Sequence, residues 1–214
     1  MRRIAFSAAL ALALAAPAAA QQQTQPQEPP LRIAASSYAT VEVHLNSRQI
    51  GGRWYEEDAA LTGPSRIAIS YGQPHARGRR IEGGLIPTDT VWRFGANMAT
   101  TLHSDLDLDL GGVRVPRGDY SLFILHTAAG AWQMIVNRGT GQWGTDRDER
   151  EDMGRVTLQA RTLAEAEESL TIYLVPESPR PGTGYAELHG VLRIKWGRTE
   201  LSAPWSVVQP APAR

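Results

Sequence analysis

The sequence contains no cysteine, only one lysine and no surplus of charge of either sign. Without cysteine the protein has no disulfide, no thiolate ligand for zinc and no thiol nucleophile. The 22 basic residues balance the 22 acidic residues, whereas a nucleic-acid-binding protein needs a basic surplus to neutralise phosphates. These absences exclude nucleic acid as a bulk partner and leave an ordinary globular composition, with 42% hydrophobic residues.

Long apolar runs are also missing, apart from one at the N-terminus. Arg2 and Arg3 precede the apolar residues 4–16, and residues 18–20 are all alanine. A basic start, a short apolar run and small residues are typical of a signal peptide. The run is shorter than the roughly 20 residues that cross a bilayer. We therefore expect a signal peptide at 1–20, a periplasmic or secreted bacterial protein, and no membrane span after cleavage.

The rest of the chain has the organisation of one domain between two polar ends. Residues 21–32 begin with a stretch rich in Gln and Pro, and residues 209–214 have a similarly sparse apolar content. Such segments cannot bury enough apolar surface to fold. We predict a disordered linker at 21–32, a single domain at 33–208, which is long enough for a sizeable core, and a disordered tail at 209–214.

Apolar residues alternate with polar ones through most of this domain. Leu106, Leu108 and Leu110 alternate with aspartates, and Gly111-Gly112 then leads into another alternating segment. Period-two alternation indicates strands with one buried face, and a glycine pair between them indicates a hairpin. Residues 120–125 form an apolar run that predicts a central strand.

The prediction is therefore an all-β fold, an antiparallel β-sandwich of the jelly-roll or immunoglobulin-like kind. At most one short helix is expected, at residues 162–168, where Thr162 and Glu165 resemble a capping box. Residues 176–184 contain three prolines and two glycines and are expected to form an exposed loop.

An arginine-rich and glycine-rich connection is the densest candidate site. It carries Arg77, Arg79, Arg80 and Arg93, with His75 beside them. Arginine forks bind carboxylates and phosphates with two hydrogen bonds, so these side chains could converge on an anion. The alternative is that they pair with carboxylates such as Glu82 and Asp89 and only hold the connection in place.

Several ordered motifs in and after this connection resemble one family. They are Tyr-Gly-Gln-Pro (71–74), Arg-Gly-Arg (77–79), Gly-Gly-Leu-Ile-Pro (83–87), Val-Trp-Arg-Phe-Gly-Ala-Asn-Met-Ala-Thr-Thr (91–101), Pro-Arg-Gly-Asp-Tyr-Ser-Leu (116–122) and Gln-Trp-Gly (142–144). Together they resemble the bacterial domain-of-unknown-function 2911 family, over roughly residues 39–205. The resemblance implies an exported bacterial protein of unassigned activity. The residues that fall in its signature segments are Tyr71, Arg77, Arg79, Arg93, Asn97, Asn137 and Trp143.

The sequence departs from the family pattern between His44 and Gly63, where it carries an insertion that contains Trp54 and Tyr55.

No metal site or cofactor is predicted. The five histidines stand alone in their segments, without His-x-His or His-Glu-x-x-His spacing. The aspartates at 105–109 alternate with leucines as a strand does and lack the glycine and glutamate of a calcium loop. The acidic residues at 146–152 are interrupted by Arg147 and Arg150, so we expect them to neutralise one another.

The leading functional hypothesis is a pocket for a polar or anionic small ligand, formed by Tyr71, His75, Arg77, Arg79, Arg93, Asn97, Asn137 and Trp143. Two alternatives remain open. One is a hydrolase or isomerase with His75 or a loop carboxylate as general base, although Gly-x-Ser-x-Gly and Ser-x-x-Lys motifs are absent. The other is an envelope interaction module without a pocket. The six tryptophans favour a structural role in the core over sugar-stacking platforms.

Overall fold

Antiparallel strands make up most of the molecule. The computed structural model describes residues 31–46, 48–55, 60, 63–177 and 188–208, and those from Ala34 onward belong to one compact unit. The elements are β1 (Ser36–His44), β2 (Arg48–Ile50), β3 (Arg53–Tyr55), β4 (Arg66–Pro74), β5 (Val91–Trp92), β6 (Thr100–Ser104), β7 (Leu108–Leu110), β8 (Val113–Val115), β9 (Gly118–His126), β10 (Trp132–Asn137), the 3-10 turn η1 (Glu149–Glu151), β11 (Asp152–Pro176) and β12 (His189–Val207).

Several predictions concern residues outside this part of the chain. The signal peptide, residues 21–30 of the linker, the C-terminal tail and most of the proline-rich loop all lie outside the described residues.

The strands form an antiparallel β-sandwich, as the alternation predicts. The hydrogen-bonded order is β1-β4-β6-β9-β10-β11-β12-β7-β8, and β5 pairs with β9. β2 and β3 form a separate two-stranded sheet. The predicted hairpin at Gly111-Gly112 joins β7 to β8, with Leu110 opposite Val113. β9 holds the predicted central strand and lies between β6 and β10.

β11 is 25 residues long and takes part in both layers. Its first part pairs with β10 from Trp132↔Leu158 to Asn137↔Asp152, and its second part pairs with β12 from Gln159 to Pro176. The strand therefore crosses from one sheet to the other, and the two sheets enclose the main core between them.

The predicted helix at 162–168 is wrong, because these residues belong to β11. Thr162 pairs with Thr199 and Glu167 with Gly197, and the register shifts between them. Between these two pairs, four residues of β11 lie opposite one residue of β12. Cross-strand pairing overrides the local helix preference of alanine and glutamate, and a bulge absorbs the extra residues. Within residues 63–177 and 188–208, helical structure is limited to η1.

The main core contains four of the tryptophans. Trp92, Trp132, Trp196 and Trp205 are all at most 9% exposed, and the rings of Trp92 and Trp196 stack with centroids 5.7 Å apart. A smaller cluster of Ala99, Phe123 and Ile135 is separate from this core. Because side chains alternate along a strand, Phe123 lies on the opposite face of β9 from its core neighbours Leu122 and Ile124. We call this second face the outer face.

Candidate functional site

Two irregular segments, 93–99 and 139–147, are joined to each other at the outer face. Met98 and Trp143 form an antiparallel bridge. The Gly144 N–H donates to the Asn97 carbonyl over 2.9 Å, and the Ala99 N–H donates to the Gln142 carbonyl over 3.2 Å. The paired segments therefore form one unit that carries several residues of the family signature.

Glycine allows these segments to approach the sheet and each other. The Ala96 N–H donates to the Gly72 carbonyl on β4 over 2.9 Å. A Cβ on Gly72 would overlap the Ala96 carbonyl oxygen, and a Cβ on Gly144 would overlap the side chain of Arg93. Only a residue without a side chain fits at either contact.

A groove of about 730 Å³ lies beside the paired segments. We call it the arginine groove, and it is lined by Gly84, Leu85, Pro87, Asp89, Thr90, Val91, Trp92, Arg93, Phe123, Gly144, Thr145, Arg147 and Glu149. A volume of this size is typical of small-molecule sites. Two arginines lie in it, and their surroundings differ.

Arg147 is held rigidly in one wall of the groove. Its guanidinium binds both carboxylate oxygens of Asp152, contacts Glu149 over 3.0 Å and lies 5.8 Å from the ring centroid of Phe123. Its side chain is only 9% exposed. Burial works to lower the pKa of Arg147, but the hydrogen bonds and negative charges of Asp152 and Glu149 together outweigh it and raise that pKa above its ordinary value. Arg147 is thus a neutralised, fixed cation, as expected for the 146–152 cluster.

Arg93 lines the same groove without such partners. Its side chain is half-buried and packs along Gly144. Among the residues that the structure describes, its guanidinium has no ion pair and no hydrogen bond. A guanidinium carries five N–H donors in a planar fork, so Arg93 offers an unused binding surface for an anion.

The other arginines of the predicted site are used internally. Arg77 donates to the Ala34 carbonyl over 3.1 Å. Arg79 donates to the carbonyls of His75 and Ala76 over 2.7 and 3.1 Å, and Arg80 donates to the Glu82 carbonyl over 2.8 Å. They bind backbone carbonyls in place of the carboxylates proposed from the sequence, so this cluster holds its own connection in place.

Tyr71 and His75 face β11, away from the arginine groove. The buried Tyr71 hydroxyl accepts a hydrogen bond from the Ile172 N–H over 3.1 Å, and burial raises the pKa of Tyr71. The His75 ring lies with Nδ1 2.8 Å from the Ser169 hydroxyl and Nε2 3.3 Å from the Ser37 hydroxyl. No carboxylate of the described residues contacts this ring. Both side chains link the end of β4 to β11, so no carboxylate orients His75 as a general base among the described residues.

Asn137 anchors the segment that carries Arg147. The side chain is fully buried. Its amide donates to the Asp148 carbonyl and to the Asp152 carboxylate, both over 2.8 Å, and its oxygen accepts from the Gly139 N–H over 2.9 Å. All its contacts are internal, so Asn137 positions the groove wall and does not line the groove.

The structure therefore divides the predicted residues into separate groups. Arg93, Asn97 and Trp143 share the paired segments, with Trp143 46% exposed. Asn137 supports those segments from inside, while Tyr71, His75, Arg77 and Arg79 lie along the end of β4 and the turn after it. Arg147 was missed as a groove residue because its sequence neighbours are acidic, and only the fold shows that it lies beside Arg93.

Asp148, in the acidic part of this loop, predicts that the stability of the fold depends on pH. Hydrogen bonds from the Arg150 side chain lower the pKa of Asp148 to about 2. A folded-state pKa below the unfolded value of about 4 stabilises the fold above that pH, and this contribution is lost as pH falls toward 2. We expect the urea midpoint to fall less between pH 6 and pH 3 in Asp148→Asn than in the wild type. Asparagine also caps helix N-termini, so this substitution keeps the cap on η1. Equal falls of the urea midpoint in the two proteins would contradict the role given to Asp148.

No group of three or more His, Cys, Asp or Glu side chains within the described residues is arranged to hold a metal ion. None of their helices is long and apolar enough to cross a membrane.

The fold and the groove define an antiparallel β-sandwich protein whose candidate site is formed by loop segments on the outer face of one sheet. The chain belongs to the family described as Protein of unknown function (DUF2911), whose model matches residues 56–204. This match confirms the resemblance carried by the sequence motifs. No curated protein and no solved structure matches the chain. The β2–β3 hairpin, which includes Trp54 and Tyr55 of the predicted insertion, precedes the matched residues.

Proposed function

We propose that the protein is an exported binding protein for a small anionic ligand, held in the arginine groove by Arg93. This proposal rests on Arg93, a half-buried residue in a groove of about 730 Å³ whose guanidinium has no partner among the described residues. Export rests on the basic, apolar and small residues at the N-terminus.

The charge and shape of the Arg93 guanidinium favour a carboxylate or phosphate at this position. A partly buried cation is stabilised when an anion with matching geometry binds it, and the arginine fork donates to two oxygens of one group. Arg147 is paired with Glu149 and Asp152, so it forms part of the groove wall and does not compete for the ligand. The hydroxyl of Thr90 also lines the groove and could donate to a further oxygen, whereas the Thr145 hydroxyl already donates to Asp146 over 3.1 Å.

Replacement of Arg93 by glutamine tests this proposal. We expect phosphate or succinate to bind the wild type, measured by calorimetry and by the rise in melting temperature. A charge-assisted hydrogen bond contributes about 1.5–3 kcal/mol, so Arg93→Gln should weaken binding by about 10- to 100-fold. The anion affinity of Arg93→Lys should lie between those of the wild type and Arg93→Gln, because lysine keeps the positive charge but lacks the planar fork of donors.

The matched control is Arg77→Gln. Arg77 belongs to the same arginine-rich connection, but its guanidinium is bound to the Ala34 carbonyl. This variant should keep the anion affinity of the wild type. The proposal fails if neither anion binds, or if Arg77→Gln and Arg93→Gln weaken binding equally.

A further inference from the structure

A second depression on the outer face has a different chemistry from the arginine groove. It has a volume of about 420 Å³ and lies between the start of β1, β4 and the paired segments. We call it the hydroxyl cleft, because Ser36, Ser70 and Thr101 line it together with the amides of Asn97 and Gln142. None of the residues that line it is charged.

Gln142 lines the cleft with a side-chain amide that is fixed from below. Its side-chain nitrogen donates to the Ser121 hydroxyl over 3.1 Å and to the Gly139 carbonyl over 3.4 Å. Because the carbonyl can only accept, these bonds fix which end of the amide is the nitrogen. The remaining oxygen, Oε1, is closed to solvent and has no hydrogen-bond partner among the described residues. A ligand in the cleft would therefore bind the other polar groups of the lining.

Asn97 adds a side-chain amide at the same place. Its backbone is left-handed, with φ of 64°, a conformation that strains most residues and that asparagine tolerates better than others. The Gly144 N–H holds its carbonyl, while its side-chain nitrogen donates to the Ser36 hydroxyl over 3.3 Å. The side-chain oxygen is left without a partner among the described residues.

Apolar groups complete the cleft. Tyr38 is 71% exposed and Met98 is 43% exposed, and both line it. The exposed Trp143 is bridged to Met98 through the backbone. Exposed aromatic rings beside hydroxyls and amides can pack against the C–H face of a ligand while the polar groups bind its substituents.

We propose that the hydroxyl cleft binds a neutral, polyhydroxylated ligand, that is, a small saccharide. An anion would find no cation, and a cation no carboxylate, among the described residues that line the cleft. A sugar hydroxyl both donates and accepts, so it matches the mixed set of amides and hydroxyls. This inference uses residues other than Arg93 and Arg147, so it stands or fails separately from the proposed anion site.

Cellobiose, maltose and chitobiose are suitable probes for the full-length protein. In a ¹⁵N-labelled sample, at least one of them should cause saturable shifts of the side-chain amides of Asn97 and Gln142 and of the Trp143 indole N–H. Asn97→Gly should weaken that binding about tenfold, as expected for the loss of hydrogen bonds that contribute roughly 1 kcal/mol each. Glycine adopts positive φ without strain, so this variant should keep the fold.

Gln133→Ala is the matched control. Gln133 is half-buried on β10, outside the cleft, where it accepts from Arg155. It should leave the sugar titration unchanged. The inference is overturned if none of the three disaccharides gives saturable shifts. It is also overturned if Asn97→Gly binds as the wild type does, or if inorganic phosphate shifts the same amides in Arg93→Gln, where the proposed anion site is removed.

Discussion

Replacing Asn137 with alanine is expected to lower the free energy of unfolding by about 3 kcal/mol. The fully buried side chain makes three hydrogen bonds, to Gly139, Asp148 and Asp152. Alanine would leave those groups without their partner in a region closed to water, and an unpaired buried polar group costs more than the bond itself contributes. Urea unfolding monitored by far-UV circular dichroism measures the loss.

The same substitution should also affect the arginine groove. Asp152 binds both Asn137 and Arg147, so its displacement loosens the wall that Arg147 forms. Anion affinity at Arg93 should therefore decrease although Arg93 is unchanged. Gln133→Ala, which removes the partner of Arg155 on β10, should cost less than about 1 kcal/mol because its surroundings are solvated. Equal losses in the two variants would show that the Asn137 network does not anchor the loop.

Gly72→Ala is expected to destabilise the protein by about 3 kcal/mol or more, because overpacking against backbone cannot be relieved by a side-chain rotation. The new methyl group would overlap the Ala96 carbonyl oxygen. The segment must move away from β4, and the hydrogen bond from the Ala96 N–H to the Gly72 carbonyl is then lost. Melting temperature and urea midpoint both report this loss.

Gly130→Ala provides the control for the loss of a glycine. Gly130 has φ of 82°, and a Cβ added there would have no atom within 4 Å, so alanine costs only the left-handed backbone, about 1–2 kcal/mol. In Gly72→Ala the backbone signals of Asn97 and Met98 should shift as well, whereas in Gly130→Ala they should not. A Gly72→Ala protein as stable as the wild type would contradict the close contact.

The strands were predictable because their signals are local. Leu108 and Leu110 are buried as their alternation with aspartate predicts, and Gly111-Gly112 forms the turn. The run at 120–125 becomes a central strand because it is apolar on both faces, toward the main core and toward the outer face. In each case the residues that decide the structure are adjacent in sequence.

The strand conformation of residues 162–168 could not be predicted from the local sequence. Their alanines and glutamates prefer a helix, but the partner strand β12 lies about thirty or more positions away and supplies the hydrogen bonds that decide the outcome. Nothing in the short window of sequence encodes that partner.

The candidate site was predictable in part. The family motifs contained Arg93, Asn97 and Trp143, which the paired segments carry together. The density of arginines along the sequence, in contrast, indicated that Arg77, Arg79 and Arg80 bind an anion. Their donors bind backbone carbonyls of the protein instead. Sequence shows how many cations are close along the chain, but not which of them already have a partner. The unpaired oxygen of Gln142 depends in the same way on the packing around it.

The long strand β11 has a consequence for how the molecule comes apart. One continuous backbone belongs to both layers, from its pairing with β10 to its pairing with β12. Neither layer can separate from the other as an independent body, because the backbone of β11 continues without interruption from one ladder into the other. Loss of order in one layer is therefore transmitted directly to the other, so the sandwich should unfold in a single cooperative transition and the loop segments on its outer face should keep a stable platform until that transition.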